Sequence, residues 1–154
     1  GTYGGDFAGT AERWCRNFFK LSVNCQNRLT VENDDKASMW STRHLYDYIH
    51  KVIHIPIVFD YHHHKFCTGG QTEQEALELA MSTWHGVTPV VHYSQDRSVE
   101  HNDPKIRPQA HSDSYWTAIE TYGHDVDVML ECKHKEQGLF KMRQLLEEKV
   151  SLAA

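Results

Sequence analysis

Four short apolar runs along the chain each end in a residue of a type that binds metal ions. The clearest run covers residues 55–59, contains Pro56, and stops at Asp60 followed by three histidines. An unbroken run of β-branched and aromatic residues predicts a short strand buried on both faces. Comparable runs end at Glu32, His92 and Glu131. The sequence therefore predicts four buried strands, each with a carboxylate or an imidazole at its carboxyl end.

Helical spacing of the apolar residues between these runs predicts the remaining elements. The predicted helices cover residues 8–21, residues 41–53, a segment capped by Thr72 and Glu75, residues 113–122 and residues 136–148. The residues expected to face the core are Trp14, Phe18 and Leu21, then Leu45, Ile49 and Val52, then Leu77, Met81 and Trp84, then Leu139, Met142 and Leu146. Residues 94–112 are expected to form a long polar loop.

The predicted helices and strands alternate along the whole chain. Alternation of this kind is typical of an α/β fold with a parallel sheet and right-handed crossovers. Four such units amount to half of a (β/α)8 TIM barrel, which usually takes about 250 residues. We therefore expect a single domain over residues 1–154 with the architecture of a half barrel.

Composition and charge narrow the function classes. The chain has 154 residues and a formal net charge of −5 with its histidines neutral. That charge gives no global electrostatic case for nucleic acid, so a nucleic-acid partner would have to bind through a local basic strip or through metal. No apolar run is long enough to span a bilayer, and we expect no membrane partner. Twelve histidines are a large number for this length and call for a chemical reason.

The cysteines indicate the cellular compartment, and the first residues indicate whether the chain is part of a longer protein. Cys15, Cys25, Cys67 and Cys132 show neither a CxxC motif nor the spacing of a disulfide framework. We interpret them as reduced thiols of an intracellular protein, cytoplasmic in a prokaryote or virus and nuclear in a eukaryote. The chain opens with a glycine-rich stretch over residues 1–5 and has no initiator methionine. We expect it to be a piece of a longer protein.

The carboxyl ends of parallel strands meet at one edge of a sheet, so Glu32, Asp60, His92 and Glu131 should converge there. Imidazole and carboxylate groups are the ligands that Zn, Mn and Fe accept. A lone histidine is more often a solvated or structural residue, but the repetition over four strands favours a metal site. Clustered carboxylates repel one another unless cations lie between them, which indicates two or more ions.

The spacing leaves several histidines open. It does not decide which of His62, His63 and His64 is a ligand, and His111 is a further candidate. We interpret the others as surface residues: His44, His50, His54, His85, His101, His124 and His134. Arg97, Lys105 and Arg107 lie in the predicted polar loop and could contact phosphates, although a solvated charged loop explains each of them equally well.

Five segments resemble the UV damage endonuclease family, and they follow one another in that family's order over nearly the whole chain. They are LTVENDD at residues 29–35, FDYHHH at 59–64, VHYS at 91–94, RPQAHS at 107–112 and DVDVMLECK at 125–133. The resemblance implies a single TIM barrel related to endonuclease IV. It also implies a DNA repair enzyme that nicks the backbone of damaged double-stranded DNA immediately 5′ to UV photoproducts and other lesions.

The resemblance also implies the roles of individual residues. It makes metal ligands of Glu32, Asp60, His63, His92, His111 and Glu131, and it selects His63 among the three consecutive histidines. The expected cofactors are divalent ions, commonly manganese, with two or three in a complete site. Hydrolysis of the phosphodiester would then depend on Glu32 as a bridging carboxylate and on Asp60 and Glu131.

Two features depart from the family pattern. Residues 1–5 resemble the segment just after the family's fourth strand, so the first four strands would be absent from this chain. Many family members have a lysine at the position of Val90.

Without the first four strands, the strands ending in Glu32 and Glu131 would have exposed edges, which favour self-association or aggregation. The alternatives are an AP endonuclease or a sugar isomerase on the same barrel, or an inactive fragment.

Overall fold

The computed structural model describes residues 5–153, so most of the predicted loop-like opening lies outside the described residues. The strands are β1 (Val31–Glu32), β2 (Ile57–Asp60), β3 (Val90–Tyr93) and β4 (Asp127–Leu130). The helices are α1 (Phe7–Phe18), α2 (Val23–Gln26), α3 (Thr42–Leu45), α4 (Lys51–Ile53), α5 (Tyr61–His64), α6 (Glu73–Met81), α7 (Arg97–Glu100) and α8 (Glu136–Ala153), and a π-helical turn spans Tyr46–His50.

The four strands form one parallel sheet in sequence order, β1-β2-β3-β4. The Cα partners include Glu32 with Val58, Asp60 with His92, and His92 with Met129. Partner residues on neighbouring strands point to the same face, and successive residues of one strand point to opposite faces. The predicted α/β fold with a parallel sheet is therefore confirmed, and its candidate ligands share one face.

β2 is the buried centre of the sheet, as its unbroken apolar run predicts. Ile57 and Phe59 are completely buried, and Asp60 at its end is buried as well. Thr83 Oγ1 accepts a hydrogen bond from the Ile57 N–H at 2.9 Å, and Trp84 Nε1 donates to the Ile57 carbonyl at 2.9 Å. The residues that follow α6 therefore satisfy main-chain groups at the start of β2, which keeps this buried strand free of unpaired polar atoms at that point.

The first predicted helix forms, but it ends earlier than the apolar spacing predicts. Asp6 caps α1 by accepting a hydrogen bond from the Gly9 N–H at 2.9 Å. Cys15 and Phe18 are buried on its core face. Leu21 follows the helix and is exposed, so its predicted place in the core is wrong.

A π-helical turn interrupts the predicted helix over residues 41–53. Leu45 and Ile49 are buried as predicted, but Val52 is 55% exposed. A π turn adds one residue to a helical turn and rotates everything after it. Ile53 packs against the core in place of Val52, which corrects that prediction.

No helix forms over residues 113–122, where one was predicted. Side chains from earlier in the chain bind the first main-chain N–H groups of this segment. The Glu100 carboxylate accepts hydrogen bonds from the N–H groups of Asp113 at 2.5 Å and Ser114 at 3.0 Å. Gln95 Oε1 accepts from the Trp116 N–H at 2.9 Å. Glu100 belongs to α7, a short helix inside the predicted polar loop.

The last helix is longer than predicted and presents a different face. It continues to Ala153, and Met142 is buried against the core with Leu145 beside it. Leu139 is 40% exposed and Leu146 is similarly exposed, so their predicted inward orientation is wrong. Gly138 allows the helix to approach the side chains of Cys132 and Tyr115 closely.

The thiols agree with the interpretation from sequence, since all four cysteines are free. His50 does not agree, because it is buried rather than on the surface and its Nδ1 donates to the Ile55 carbonyl at 2.9 Å. Among residues 5–153, no helix has both the length and the apolarity needed to cross a membrane.

Candidate metal centre

The four strand-end residues converge at the carboxyl end of the sheet, as the parallel topology predicts. His92 Nδ1 lies 2.9 Å from Glu32 Oε1 and 3.6 Å from Glu131 Oε1. Asp60 is the Cα partner of His92 and lies between β1 and β3. One imidazole and three carboxylates from four strands therefore occupy a single small volume.

The two carboxylate oxygens of Asp60 have different surroundings. Oδ1 accepts a hydrogen bond from the His63 N–H at 2.8 Å, which caps helix α5. Oδ2 is buried and has no hydrogen-bond partner in the described part of the chain. Burial raises the pKa of Asp60 to about 6, and the nearby charges of Glu32 and Glu131 add to the rise while His63 opposes it. A buried carboxylate oxygen of this kind needs a cation or a proton.

His63 and His111 complete the cluster. His63 Nδ1 lies 3.5 Å from Glu32 Oε1 and 3.9 Å from Asp60 Oδ2. His111 Nδ1 lies 3.4 Å from Glu131 Oε2, and its ring centroid is 6.5 Å from that of His63. All six residues that the resemblance names as ligands are therefore brought together, while their roles as ligands stay a prediction.

The fold separates the three consecutive histidines, which their spacing in the sequence could not. His62 is completely buried, and its Nδ1 lies 3.6 Å from Asp96 Oδ1. Burial lowers the pKa of His62 to about 4, so this imidazole stays neutral near pH 7. His64 packs against the Phe59 ring, with 5.3 Å between ring centroids. His63 is the one of the three that faces Glu32 and Asp60.

Hydrogen bonding and burial set the charge states in the cluster. The hydrogen bond with Glu32 raises the pKa of His92 above its usual value, against the effect of burial. Burial alone would raise the pKa of Glu32, but the hydrogen bond and the positive charge of His92 outweigh it and leave that pKa lowered. Burial lowers the pKa of His111. Glu32 and His92 therefore form an ion pair beside the buried carboxyl group of Asp60.

A pairing between two loop segments places His111 beside Glu131. Asp96 and His111 form an isolated antiparallel bridge. The Arg97 N–H donates to the Ala110 carbonyl at 3.0 Å, and the Ser112 N–H donates to the Gln95 carbonyl at 2.8 Å. The long polar segment therefore folds back onto the end of β3 instead of extending into solvent.

The donor set fits divalent cations of intermediate hardness. Ligand atoms of Glu32, Asp60 and His63 lie within 4.8 Å of one another, as do those of Asp60, His92 and Glu131. Asp60 is common to both groups, which suits a centre that holds more than one ion. Oxygen and nitrogen donors without a thiolate are typical of Mn, Fe and Zn sites.

The predicted phosphate-contacting residues lie on the segment after β3 and differ in how free they are. Arg97 Nε lies 3.3 Å from Asp113 Oδ1, so its guanidinium is already paired. Arg107 is mostly exposed and its closest carboxylate oxygen, on Asp35, is 3.8 Å away. The Lys105 side chain is exposed.

Asn33 is a site residue that the sequence reasoning did not single out. Its side chain is buried and exchanges two hydrogen bonds with the main chain of Asp60, at 2.8 and 2.9 Å. Its carbonyl oxygen accepts a hydrogen bond from His63 Nδ1 at 2.8 Å. The signal available in the sequence was its position immediately after the strand-end Glu32.

Proteins of known family resemble this chain over most of its length. A UV-damage endonuclease of Neurospora crassa is 34% identical over 152 residues, which cover 90% of this chain and 22% of that protein. A UV DNA damage endonuclease of Bacillus cereus strain G9842 is 33% identical over 141 residues, 85% of this chain and 42% of that protein. The UV-damage endonuclease of Schizosaccharomyces pombe is 32% identical over 153 residues, which cover 90% of this chain and 24% of that protein.

The fold of this chain also resembles a solved structure. The crystal structure of SacUVDE superimposes with a TM-score of 0.77 at 30% sequence identity, covering 96% of this chain and 49% of that one. The chain thus spans about half the length of that solved structure and less than half of the three relatives described above. The family model for the UV-endonuclease UvdE matches residues 1–153. This chain is a member of the UV-endonuclease UvdE family.

Proposed function

We propose that this chain supplies the carboxyl-terminal half of a metal-dependent endonuclease of DNA repair. The complete enzyme would hydrolyse the backbone of damaged double-stranded DNA 5′ to UV photoproducts and other lesions. The observation that carries the proposal is the buried Oδ2 of Asp60, unpartnered within residues 5–153 and surrounded by Glu32, Glu131, His63 and His92. The names of the relatives, which describe UV-damage endonucleases, supply the substrate class.

The residues present fit two or three divalent ions, with manganese the expected metal. Three carboxylates close together repel one another, and cations between them would remove that repulsion. Glu32, Asp60 and Glu131 would supply the oxygen ligands, with Glu32 the expected bridging carboxylate. His63, His92 and His111 would supply nitrogen ligands, and all three lie within 4 Å of a carboxylate of the cluster.

In a centre of this type, divalent ions supply a water of lowered pKa and stabilise the attacking and leaving oxygens. This chain's own residues hold the centre in place. Burial and two hydrogen bonds from the Asn33 side chain hold Asp60. The hydrogen bond between Glu32 and His92 aligns their side chains, and the pairing of Asp96 with His111 keeps His111 near Glu131. Such fixed geometry orients a bound phosphodiester toward the reacting water.

The proposal keeps Arg97, Lys105 and Arg107 as phosphate contacts. The exposed Lys105 and the weakly paired Arg107 could bind a DNA strand without losing an interaction of the folded chain. Arg97 would have to exchange its contact with Asp113 for a phosphate. Contacts of this kind add affinity without sequence preference, and their strength falls as the salt concentration rises.

The half-barrel architecture belongs to the same proposal. β1 and β4 each leave an edge unpaired within the described sheet, and Met129 on the ligand-bearing face of β4 is 53% exposed. Val58, on the same face of β2, is only 6% exposed. Further strands of a complete barrel would cover Met129, in keeping with the 49% coverage of the solved relative. We expect the isolated chain to self-associate or aggregate through these edges.

The test uses a chimaera in which this chain replaces the matching part of the Bacillus cereus relative. With Mn²⁺, the chimaera should nick UV-irradiated plasmid and leave unirradiated plasmid intact. Glu32→Gln, which removes a charge and hardly changes volume, should lower nicking by at least about a thousand-fold, a loss of roughly 4 kcal/mol of transition-state stabilisation. Glu12→Gln on the exposed face of α1 is the matched control and should nick normally.

Two results would count against the proposal. Near-normal nicking by the Glu32→Gln chimaera would remove Glu32 from the centre. Lesion-dependent nicking by the isolated chain as a demonstrated monomer would show that the site is complete without further strands.

A further inference from the structure

Asn33 follows the last residue of β1 that takes part in the main-chain ladder with β2. The last Cα pair of that ladder joins Glu32 to Val58, so Asp60 at the end of β2 has no ladder partner on β1. The Asn33 side chain takes over that position. Its Oδ1 accepts from the Asp60 N–H at 2.8 Å, and its Nδ2 donates to the Asp60 carbonyl at 2.9 Å.

An amide side chain can make this two-point contact because it carries one acceptor and donors, as a main-chain peptide does. Asn33 is 1% exposed and Asp60 is completely buried, so water does not compete for these hydrogen bonds. Loss of either bond would leave a buried main-chain group of Asp60 unpaired, which is unfavourable. The contact therefore fixes Asp60 relative to the strand that carries Glu32.

The main-chain carbonyl of Asn33 performs a separate function. It lies 2.8 Å from His63 Nδ1. A carbonyl oxygen can only accept a hydrogen bond, so Nδ1 must carry the proton. The competing acceptors are farther away, with Glu32 Oε1 at 3.5 Å and Asp60 Oδ2 at 3.9 Å. In the neutral imidazole, Nε2 then keeps the free lone pair.

We propose that Asn33 is the positioning residue of the metal centre. Its amide holds Asp60, and its carbonyl selects Nε2 as the coordinating nitrogen of His63. Hydrogen bonds of this type orient ligands and fix histidine tautomers in metalloproteins. The assignment to metal binding rests on the proposed function, whereas the tautomer of His63 is a property of the metal-free chain.

The deciding measurement is the ¹⁵N NMR spectrum of the histidine side chains in the metal-free chimaera. It is recorded at about pH 8.5, where ordinary imidazoles are neutral, and the His63 signals are assigned by their loss in His63→Gln. We expect the proton of His63 on Nδ1 in the natural sequence. Asn33→Ala should produce a mixture of tautomers, because the carbonyl is no longer held opposite the ring. Asn27→Ala, at an exposed position next to α2, is the matched control and should leave the tautomer unchanged.

Metal binding gives a second readout, by titration with Mn²⁺ followed by electron paramagnetic resonance. Asn33→Ala should weaken Mn²⁺ binding by about 10- to 100-fold, and Asn27→Ala should stay within two-fold of the natural sequence. Asn33→Asp keeps the volume and the acceptor for the Asp60 N–H but faces the Asp60 carbonyl with a second acceptor. It should also bind Mn²⁺ more weakly, and it serves if Asn33→Ala fails to fold.

A proton on Nε2 of His63 in the natural sequence would overturn the inference, whatever the variants do. Unchanged Mn²⁺ affinity in folded Asn33→Ala and Asn33→Asp would overturn the part played by the amide. Failure of the proposed function would look different, since nicking by the chimaera would be absent while the Nδ1 proton of His63 remained in place.

Discussion

Two groups of histidines lie at opposite ends of β2, and they differ in what surrounds them. Before the strand, the ring of His50 lies 5.6 Å from that of His85 and 5.8 Å from that of His54. Beyond the strand, His63 and His92 lie within 3.5 Å of Glu32. Within residues 5–153, no carboxylate forms an ion pair with any histidine of the first group.

The difference shows in the protonation of the two groups. Burial lowers the pKa of His50, and the neighbouring His85 and His54 lower it further, against the opposing effect of the Ile55 carbonyl. The hydrogen bond with Glu32 raises the pKa of His92. Burial therefore favours the neutral form of His50, whereas His92 is paired with a carboxylate. A large number of histidines does not by itself predict a metal centre, and interleaved carboxylates are the stronger indication.

The largest expected contrast between the two ends is in Mn²⁺ affinity. Asp60→Asn removes the buried negative charge with little change in volume, and we expect Mn²⁺ binding to weaken by at least about a hundred-fold. His50→Asn alters the other end of β2, where an amide can still donate to the Ile55 carbonyl, and should leave the affinity within two-fold. Titration calorimetry on the chimaera measures both. An equal loss of Mn²⁺ affinity in the two variants would mean that the two ends of β2 do not differ in metal binding.

A smaller effect is expected in the pH dependence of stability. Because the pKa of His50 is lower in the folded chain than in the unfolded one, the unfolded state binds more protons once the pH falls below about 6.5. The free energy of unfolding contributed by His50 is thus complete above that pH and is lost as the pH falls toward the folded pKa.

Urea unfolding of the chimaera in a metal chelator, between about pH 7.5 and 5, measures this effect. His50→Asn should flatten the decline in the free energy of unfolding, since asparagine has no proton to bind in this range. His134→Asn is the control at an exposed position and should decline as the natural sequence does. An unchanged slope in His50→Asn would mean that His50 does not titrate differently in the two states.

The strand ends could be predicted from sequence because the signal is local. A buried run such as residues 57–59 followed by Asp60 fixes both the strand and the place where its carboxylate emerges. The choice among three histidines was not available from spacing alone and came from the family resemblance. In the structure it follows from Asp60, which caps α5 and so places His63, three residues later, beside its own carboxylate.

Other features depended on contacts between distant residues. Residues 113–122 do not form the predicted helix, and the side chains of Glu100 and Gln95 bind main-chain N–H groups 13 to 21 residues later in this segment. The π-helical turn at Tyr46–His50 moves Val52 out of the core without any breaker residue to mark it. His50 was assigned to the surface for the same reason, since its buried position depends on this turn and on packing against His85.

The register of the sheet has a consequence for which acidic residue each strand can use. Glu32 is the partner of Val58, two residues before the level of Asp60 and His92. Glu131 follows Leu130, the partner of Tyr93, and so lies two residues beyond that level. The candidate ligands thus occupy three tiers spaced by roughly 6.6 Å, two residues of strand. The short aspartate and the histidine lie in the middle tier, and the longer glutamates lean in from below and above. Exchanging Glu for Asp in either outer tier would keep the charge but not the reach, so the stagger of the strands dictates side-chain length here.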